Sequence, residues 1–137
     1  MHLQLSEEQQ FIQDTARRFA TDELLPLAEA LDSGHGRDQL LANLQKLADL
    51  GFMGLNISSD YGGTEAGSVA FSVALTELGR ACASTAVTVS VTNMVAEVIQ
   101  ACGTDSQKQN YLPKLCSGEY PAGGFCLTES AAGSDPA

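Results

Sequence analysis

The residues most suited to chemistry lie near the end of the chain, in Gly123-Gly124-Phe125-Cys126-Leu127-Thr128-Glu129-Ser130-Ala131-Ala132-Gly133-Ser134-Asp135. Phe125 to Thr128 is a short apolar run behind two glycines, which predicts a buried strand entered through a turn. Glu129 to Asp135 follows as a loop of small side chains with a glycine and two hydroxyls. Backbone N–H groups in such a loop can approach a ligand closely and point at an oxyanion or a polar ring edge. An ordinary strand and turn has the same composition, and on residue types alone both readings stand.

The order Phe125-Cys126-Leu127-Thr128-Glu129 followed by Gly133-Ser134-Asp135 resembles the flavin-contacting signature of the acyl-CoA dehydrogenase family, a Leu-Thr-Glu-Pro run closely followed by Gly-Ser-Asp. Ser130 stands where that family usually has proline. The resemblance implies FAD as cofactor, with Phe125 and Cys126 along the flavin and Thr128 and the N–H groups of Leu127 and Thr128 at its pyrimidine edge. There fixed donors stabilise the negative charge that builds on reduction. It further implies that Gly133 lets the chain pass the cofactor closely, and that Ser134 touches both the FAD pyrophosphate and the pantetheine arm of the substrate. The activity implied is α,β-dehydrogenation of an acyl-CoA thioester to the trans-2-enoyl form, as in fatty acid β-oxidation. The catalytic base is expected in a C-terminal part that these residues do not include. Glu129 reads as a structural partner in the loop, and no residue of the chain is assigned as catalytic.

The elements that must hold this segment are helical. Ser6 and Gln9 form a capping-box pattern ahead of Phe11, Ile12, Ala16, Phe19 and Ala20 at helical spacing, which leaves Gln13, Asp14, Arg17 and Arg18 on the wet side. Pro26 is expected to break or kink this helix. A second helix is predicted over 38–50 with Gly51 as its C′ residue, followed by a loop over 56–67 and a largely buried helix from Ser68 to Gly79. Val87, Val89 and Val91 alternate with hydroxyl residues as a strand would. The segment 83–101 nevertheless reads as one buried helix, because it runs unbroken into Met94, Val95, Val98 and Ile99 and stops at Gly103. Thr104 and Gln107 start a last helix that reaches Tyr111-Leu112 before Pro113 and Gly118 close it.

Further ordered motifs resemble the same family: Leu50-Gly51-Phe52-Met53-Gly54-Leu55, Tyr61-Gly62-Gly63, Leu78-Gly79-Arg80, Ser90-Val91-x-Asn93 and Tyr111-Leu112-Pro113. Ser58 and Ser59 replace its usual Pro-Glu. The fold class is therefore all-α for most of the chain, an N-terminal helical bundle domain over 1–120, followed over 121–137 by the first strand of an incomplete β-barrel domain. Val89, Val91, Thr92 and Val95 are the candidates to face the acyl chain. Their modest size favours a short or branched substrate.

Seventeen acidic against seven basic side chains give a formal charge of −10, spread along the chain, so the basic face that nucleic acid requires is missing. Cys82, Cys102, Cys116 and Cys126 show no Cys-x-x-Cys pair and have only His2 and His35 as imidazole partners, so no metal pattern is read and all four are expected to be reduced, buried thiols. Neither histidine is assigned a role beyond the surface. The longest uncharged run, 81–96, is too short and hydroxyl-rich to span a bilayer, which predicts a cytoplasmic protein or an organelle-matrix one. Partners implied by the resemblance are an acyl-CoA, an electron-transfer flavoprotein and further copies of the chain in a dimer or tetramer. The chain is expected to be a fragment of a whole dehydrogenase. The alternatives are an inactive helical subunit or interaction module, and a flavin oxidase or monooxygenase of the same fold.

Overall fold

A computed structural model of the chain describes residues 4–134. Helix α1 spans Glu7–Phe19 and begins as its sequence dictates: the Ser6 side chain accepts from the Gln9 N–H and the Gln9 side chain accepts from the Ser6 N–H. Ala16 and Phe19 are buried, but Phe11, on the predicted core stripe, is 67% exposed. The stripe's period is right, yet its outer edge is left uncovered.

Pro26 has no N–H to donate to residue 22, and its ring crowds that carbonyl. The chain responds by widening to a π-type turn over Ala20–Leu24, then tightening to a 3₁₀ turn over Leu25–Leu27, before the short α2, Ala28–Asp32, resumes. Helix α3, Arg37–Asp49, buries Asn43, Leu44, Leu47 and Ala48. It ends at Gly51, whose φ of +82° is open to glycine at little cost and whose N–H bonds back to the Ala48 carbonyl at 2.8 Å.

Helix α4 spans Gly67–Ala81, α5 spans Ala83–Cys102 and α6 spans Asp105–Cys116. The strand-like Val-Thr alternation of 87–92 lies inside α5, as the longer helical pattern predicts. Helix α6 carries the expected reciprocal cap between Thr104 and Gln107, but it does not stop at Pro113. Pro113 is exposed and forfeits one backbone bond within a helix that continues to Cys116, where Leu112, Leu115 and Cys116 are buried. Burial of that face outweighs the missing bond.

Helices α1, α4, α5 and α6 pack in that order, each against the next. One core cluster joins Ala16, Phe19 and Leu24 to Leu44, Leu47, Phe52, Met53, Leu78 and Val89; a second joins Ile57, Ala96, Leu112, Leu115 and Cys116. Helix α5 contributes to both. Contrary to the expectation from the uncharged run 81–96, the whole helix is long and apolar enough to cross a membrane by length and composition, because it continues past Glu97 to Cys102. Here Thr85, Val89, Thr92, Asn93 and Ala96 are buried among the other elements, while Val87, Met94 and Val98 are exposed.

The predicted first strand is absent. Among the described residues none belongs to a strand: residues 121–128 have no regular structure, and the only bridge pairs Glu129 with Ala132 around a tight turn. An apolar run becomes a strand only beside a second one that takes its N–H and C=O groups. Among the described residues no such neighbour is present, and Phe125 and Leu127 are 45% and 55% exposed.

Candidate functional site

Two regions bear on function, the face of α5 and the segment that runs from Gly123 to Ser134. They meet at Gly123. Its N–H donates to the Thr92 Oγ1 at 3.0 Å, while the Thr92 hydroxyl itself donates to the Thr88 carbonyl at 2.8 Å. A Cβ placed on Gly123 would lie 3.0 Å from the Val95 Cβ and 3.3 Å from the Thr92 Cα, so the glycine serves close approach here.

Beyond Gly123 the signature residues Phe125, Cys126, Leu127, Thr128 and Ser134 are exposed, and Gly124 and Gly133 have open space where a Cβ would stand. Among the described residues, none of 124–128 exchanges a hydrogen bond with another. Their N–H groups and the Thr128 hydroxyl are therefore open to a ligand. This uncharged donor set suits the polar edge of a heteroaromatic ring, and the glycines leave room for a phosphate-bearing chain. The residues present fit FAD.

The four acyl-facing candidates separate. Val89 is fully buried in the larger core cluster. Thr92 is fully buried beneath Gly123. Val91 and Val95 are half-buried, and only they combine with exposed Val87, Met94 and Val98 to form an accessible apolar face at spacings of three, four and seven residues.

Sequence reasoning passed over the polar residues that hold α5 to the preceding loop. Asn93 is fully buried, accepts from the Leu55 N–H at 2.9 Å and donates to the carbonyls of Phe52 at 2.9 Å and Val89 at 3.0 Å. Glu97 accepts from the Asn56 amide at 2.7 Å, and Gln100 accepts from the Ser58 N–H at 2.7 Å. The available signal was their i, i+4, i+7 spacing in an otherwise apolar helix. Glu77 on α4 was also missed. Its carboxylate is almost fully buried and receives Arg17 at 3.0 Å and Gln13 at 3.2 Å, with Arg80 at 3.8 Å. The Arg17 hydrogen bond, opposed by burial and aided by the charges of Arg17 and Arg80, holds Glu77 below its ordinary range. Arg17, predicted on the wet side, is thus half-committed to a buried partner.

The cysteines divide two and two: Cys82 and Cys116 are buried, Cys102 and Cys126 exposed. Cys102 ends α5 and Cys126 lies in the unpaired segment, places where apolar sequence neighbours give no cover. Burial pushes the Cys116 thiol up, away from thiolate chemistry. His35 is exposed, whereas His2 and Asp135 lie outside the described residues. Among the described residues no group of three or more His, Cys, Asp or Glu could hold a metal ion. A groove of about 510 Å³ is lined by Asn56, Ser58, Glu65, Glu97 and Gln100 among others and includes none of the predicted site residues.

The family model for the acyl-CoA dehydrogenase N-terminal domain matches residues 6–119. The chain belongs to the acyl-CoA dehydrogenase family. It is 36% identical over 135 residues to the acryloyl-CoA reductase (NADH) of Anaerotignum propionicum, covering 98% of this chain and 34% of that protein. It is 35% identical over 136 residues to the short-chain specific acyl-CoA dehydrogenase of Clostridium acetobutylicum, covering 98% of this chain and 35% of that one. Butyryl-CoA dehydrogenase from Megasphaera elsdenii superposes with a TM-score of 0.83 at 29% identity, covering 99% of this chain and 36% of that structure. A chain from the structure of the electron transferring flavoprotein of Acidaminococcus fermentans superposes with a TM-score of 0.89 at 34% identity, covering 99% of this chain and 35% of its own length. The chain thus spans about a third of the length of the curated relatives it matches. Its helical architecture is that of the family's N-terminal domain.

Proposed function

We propose that this chain is the N-terminal helical domain, followed over 121–137 by the start of a middle β domain, of an FAD-dependent dehydrogenase that converts an acyl-CoA thioester to its trans-2-enoyl form. The observation that carries the reading is the segment 124–134, whose family signature follows Gly123, packed against Thr92 and Val95 of α5, and whose residues 124–128 present free backbone donors. Phe125, Cys126, Leu127, Thr128, Gly133 and Ser134 would hold the FAD, and Ser134 would also meet the substrate's pantetheine arm. The chemistry FAD supplies when bound is acceptance of the substrate's β-hydride. The part of this chain is to bind, orient and exclude water. The N–H groups of Leu127 and Thr128 and the Thr128 hydroxyl would be the donors where negative charge develops, once the rest of the site holds them, and Val91, Val95, Val87, Met94 and Val98 would offer an apolar wall to the acyl chain. The carboxylate that removes the α-proton would come from outside these residues.

The relatives' names support a short acyl substrate, since they include short-chain specific and butyryl-CoA dehydrogenases. An electron-transfer flavoprotein as electron acceptor fits the Acidaminococcus neighbour. A homo-oligomer and a cytoplasmic or matrix location complete the proposal; a Bos taurus relative at 36% identity is described as mitochondrial. One relative, the acryloyl-CoA reductase (NADH), favours a second reading in which the enoyl-CoA is reduced.

The test is to purify the complete protein, record its flavin absorbance, and assay dye reduction with butyryl- and octanoyl-CoA beside NADH-dependent reduction of a short enoyl-CoA. Bound FAD with faster dye reduction on butyryl-CoA is expected. A protein without flavin, or one inert with every thioester, would overturn the reading; activity only with NADH would select the second. Thr128→Ala is expected to slow flavin reduction by about 10-fold or more, as loss of a fixed donor at a developing charge does, with little change in thermal stability.

A further inference from the structure

The polypeptide between Pro121 and Thr128 is held to the helical domain, among the described residues, by a single hydrogen bond, the one from the Gly123 N–H to the Thr92 Oγ1 at 3.0 Å. Resting on the reading of 125–134 as the flavin-contacting segment, we propose that Thr92 is a positioning residue whose hydroxyl fixes where and at what angle that segment leaves α5.

Two independent features make the contact. Thr92 is fully buried and Gly123 half-buried, so the Gly123 N–H that docks on the hydroxyl is partly screened from water and takes it as its acceptor. That hydroxyl's own hydrogen is already directed at the Thr88 carbonyl 2.8 Å away, which leaves its lone pairs for Gly123. Back-bonding of a threonine hydroxyl within a helix is ordinary, and by itself it would mean nothing. The second feature is the missing side chain. A Cβ at Gly123 would press to 3.0 Å on the Val95 Cβ and 3.2 Å on its Cγ2, whereas the neighbouring Gly124 has open space in the same place. At Gly123, unlike Gly124, an added side chain would have to displace Val95 or Thr92 by a few tenths of an ångström or shift the bond.

The consequence follows from leverage. Thr128 lies five residues beyond Gly123, up to about 17 Å of extended chain, and an error in exit angle is multiplied over that reach. A misplacement of about 1 Å at reacting atoms can cost a hundredfold in rate. The same turn of α5 carries Val91 and Val95, so the contact registers the flavin segment against the apolar wall offered to the acyl chain.

The first measurement is amide hydrogen exchange at Gly123 in the complete protein. Thr92→Val keeps shape and β-branching but removes the acceptor, and Gly123 exchange should accelerate about tenfold, as loss of one net hydrogen bond allows. Thr92→Ser should restore wild-type exchange. Gly123→Ala disturbs the same contact from the segment's side, by pressing on Val95 and Thr92, and should also accelerate exchange at residue 123. The second measurement is titration of the apoprotein with FAD and dye reduction with butyryl-CoA. Thr92→Val and Gly123→Ala should raise the Kd for FAD about 3- to 10-fold and lower kcat more than they raise KM, whereas Thr92→Ser recovers both. Unchanged Gly123 exchange in Thr92→Val would overturn the proposal, as would faster exchange with unaltered FAD affinity and kcat. Wild-type protein that takes up no FAD would overturn the functional reading and with it the positioning role, an outcome told apart because the exchange result is independent of flavin.

Discussion

At the scale of single residues, buried polar groups decide more than apolar ones, because each either has its partners or is costly. Glu77 shows this. Its carboxylate is 3% exposed and is kept charged by Arg17, Gln13 and Arg80, so its folded-state pKa lies below the ordinary value of 4.5. The sign is that of a depressed acid. The stabilisation is fully present above pH 4.5 and is lost as pH falls from there through the folded value. Glu77→Gln is therefore expected to lower stability by about 1–2 kcal/mol at pH 7, and to flatten the acid limb of the stability curve below that pH. Urea midpoints at pH 7, 5, 4 and 3.5 check it, and an acid limb as steep as wild type would show that Glu77 is not the group titrating. Thr92 belongs to the same class: a buried hydroxyl with both capacities used, one within its helix and one across to Gly123.

At the scale of elements, the helices were legible where their determinants are local. The caps at Ser6/Gln9 and Thr104/Gln107, the stop at Gly51 and the extent of α5 within a residue all follow from neighbours three or four positions away. What the sequence did not reveal depends on partners distant in the chain. Phe11 has the right period but nothing over it, Pro113 sits inside α6 because the Leu112–Leu115 face is buried, and Phe125 to Thr128 has strand composition with no second strand. The candidate site divides likewise. The signature order was readable as a pattern, while the pairing of Thr92 with Gly123, or of Asn93 with Phe52 and Leu55, joins residues about 30 or 40 positions apart that no local rule connects. Asn93 is the test of how far α5 depends on such ties. Asn93→Ala would leave the Leu55 N–H and Phe52 carbonyl buried without partners, and a loss of about 2–6 kcal/mol is expected, at about 1–3 for each group. Guanidinium unfolding measures it; a loss below about 1 kcal/mol would mean the turn over 52–55 rearranges to find other partners.

At the scale of the whole molecule, these residues build a helical domain with a finished interior and one unfinished boundary. The finished part is the packing of α1, α4 and α5 around Leu24, Leu47, Met53, Leu78 and Val89, and of α5 and α6 around Ile57, Ala96, Leu112 and Leu115. The unfinished boundary is the exposed face of α5 at Val87, Met94 and Val98 together with Phe125 and Leu127. A flavin held only there would meet a row of donors and one apolar helix face, without an enclosing wall to exclude water and without a carboxylate oriented at the α-carbon. Both losses are large: orientation is worth on the order of 7–11 kcal/mol in well-aligned systems, and a placed acid or base about 10²- to 10⁴-fold. A polypeptide of these 137 residues alone is therefore expected to fold as helices but to be colourless after purification and inactive toward butyryl-CoA and octanoyl-CoA. Circular dichroism reads the first part, flavin absorbance and dye reduction the second. A yellow protein with stoichiometric FAD, or turnover above background, would show that the site closes within these residues. Recovery of colour and turnover in the complete protein, with Gly123 exchange equally slow in both forms, would show that the helical domain holds the start of the flavin segment in place before the rest of the site surrounds it.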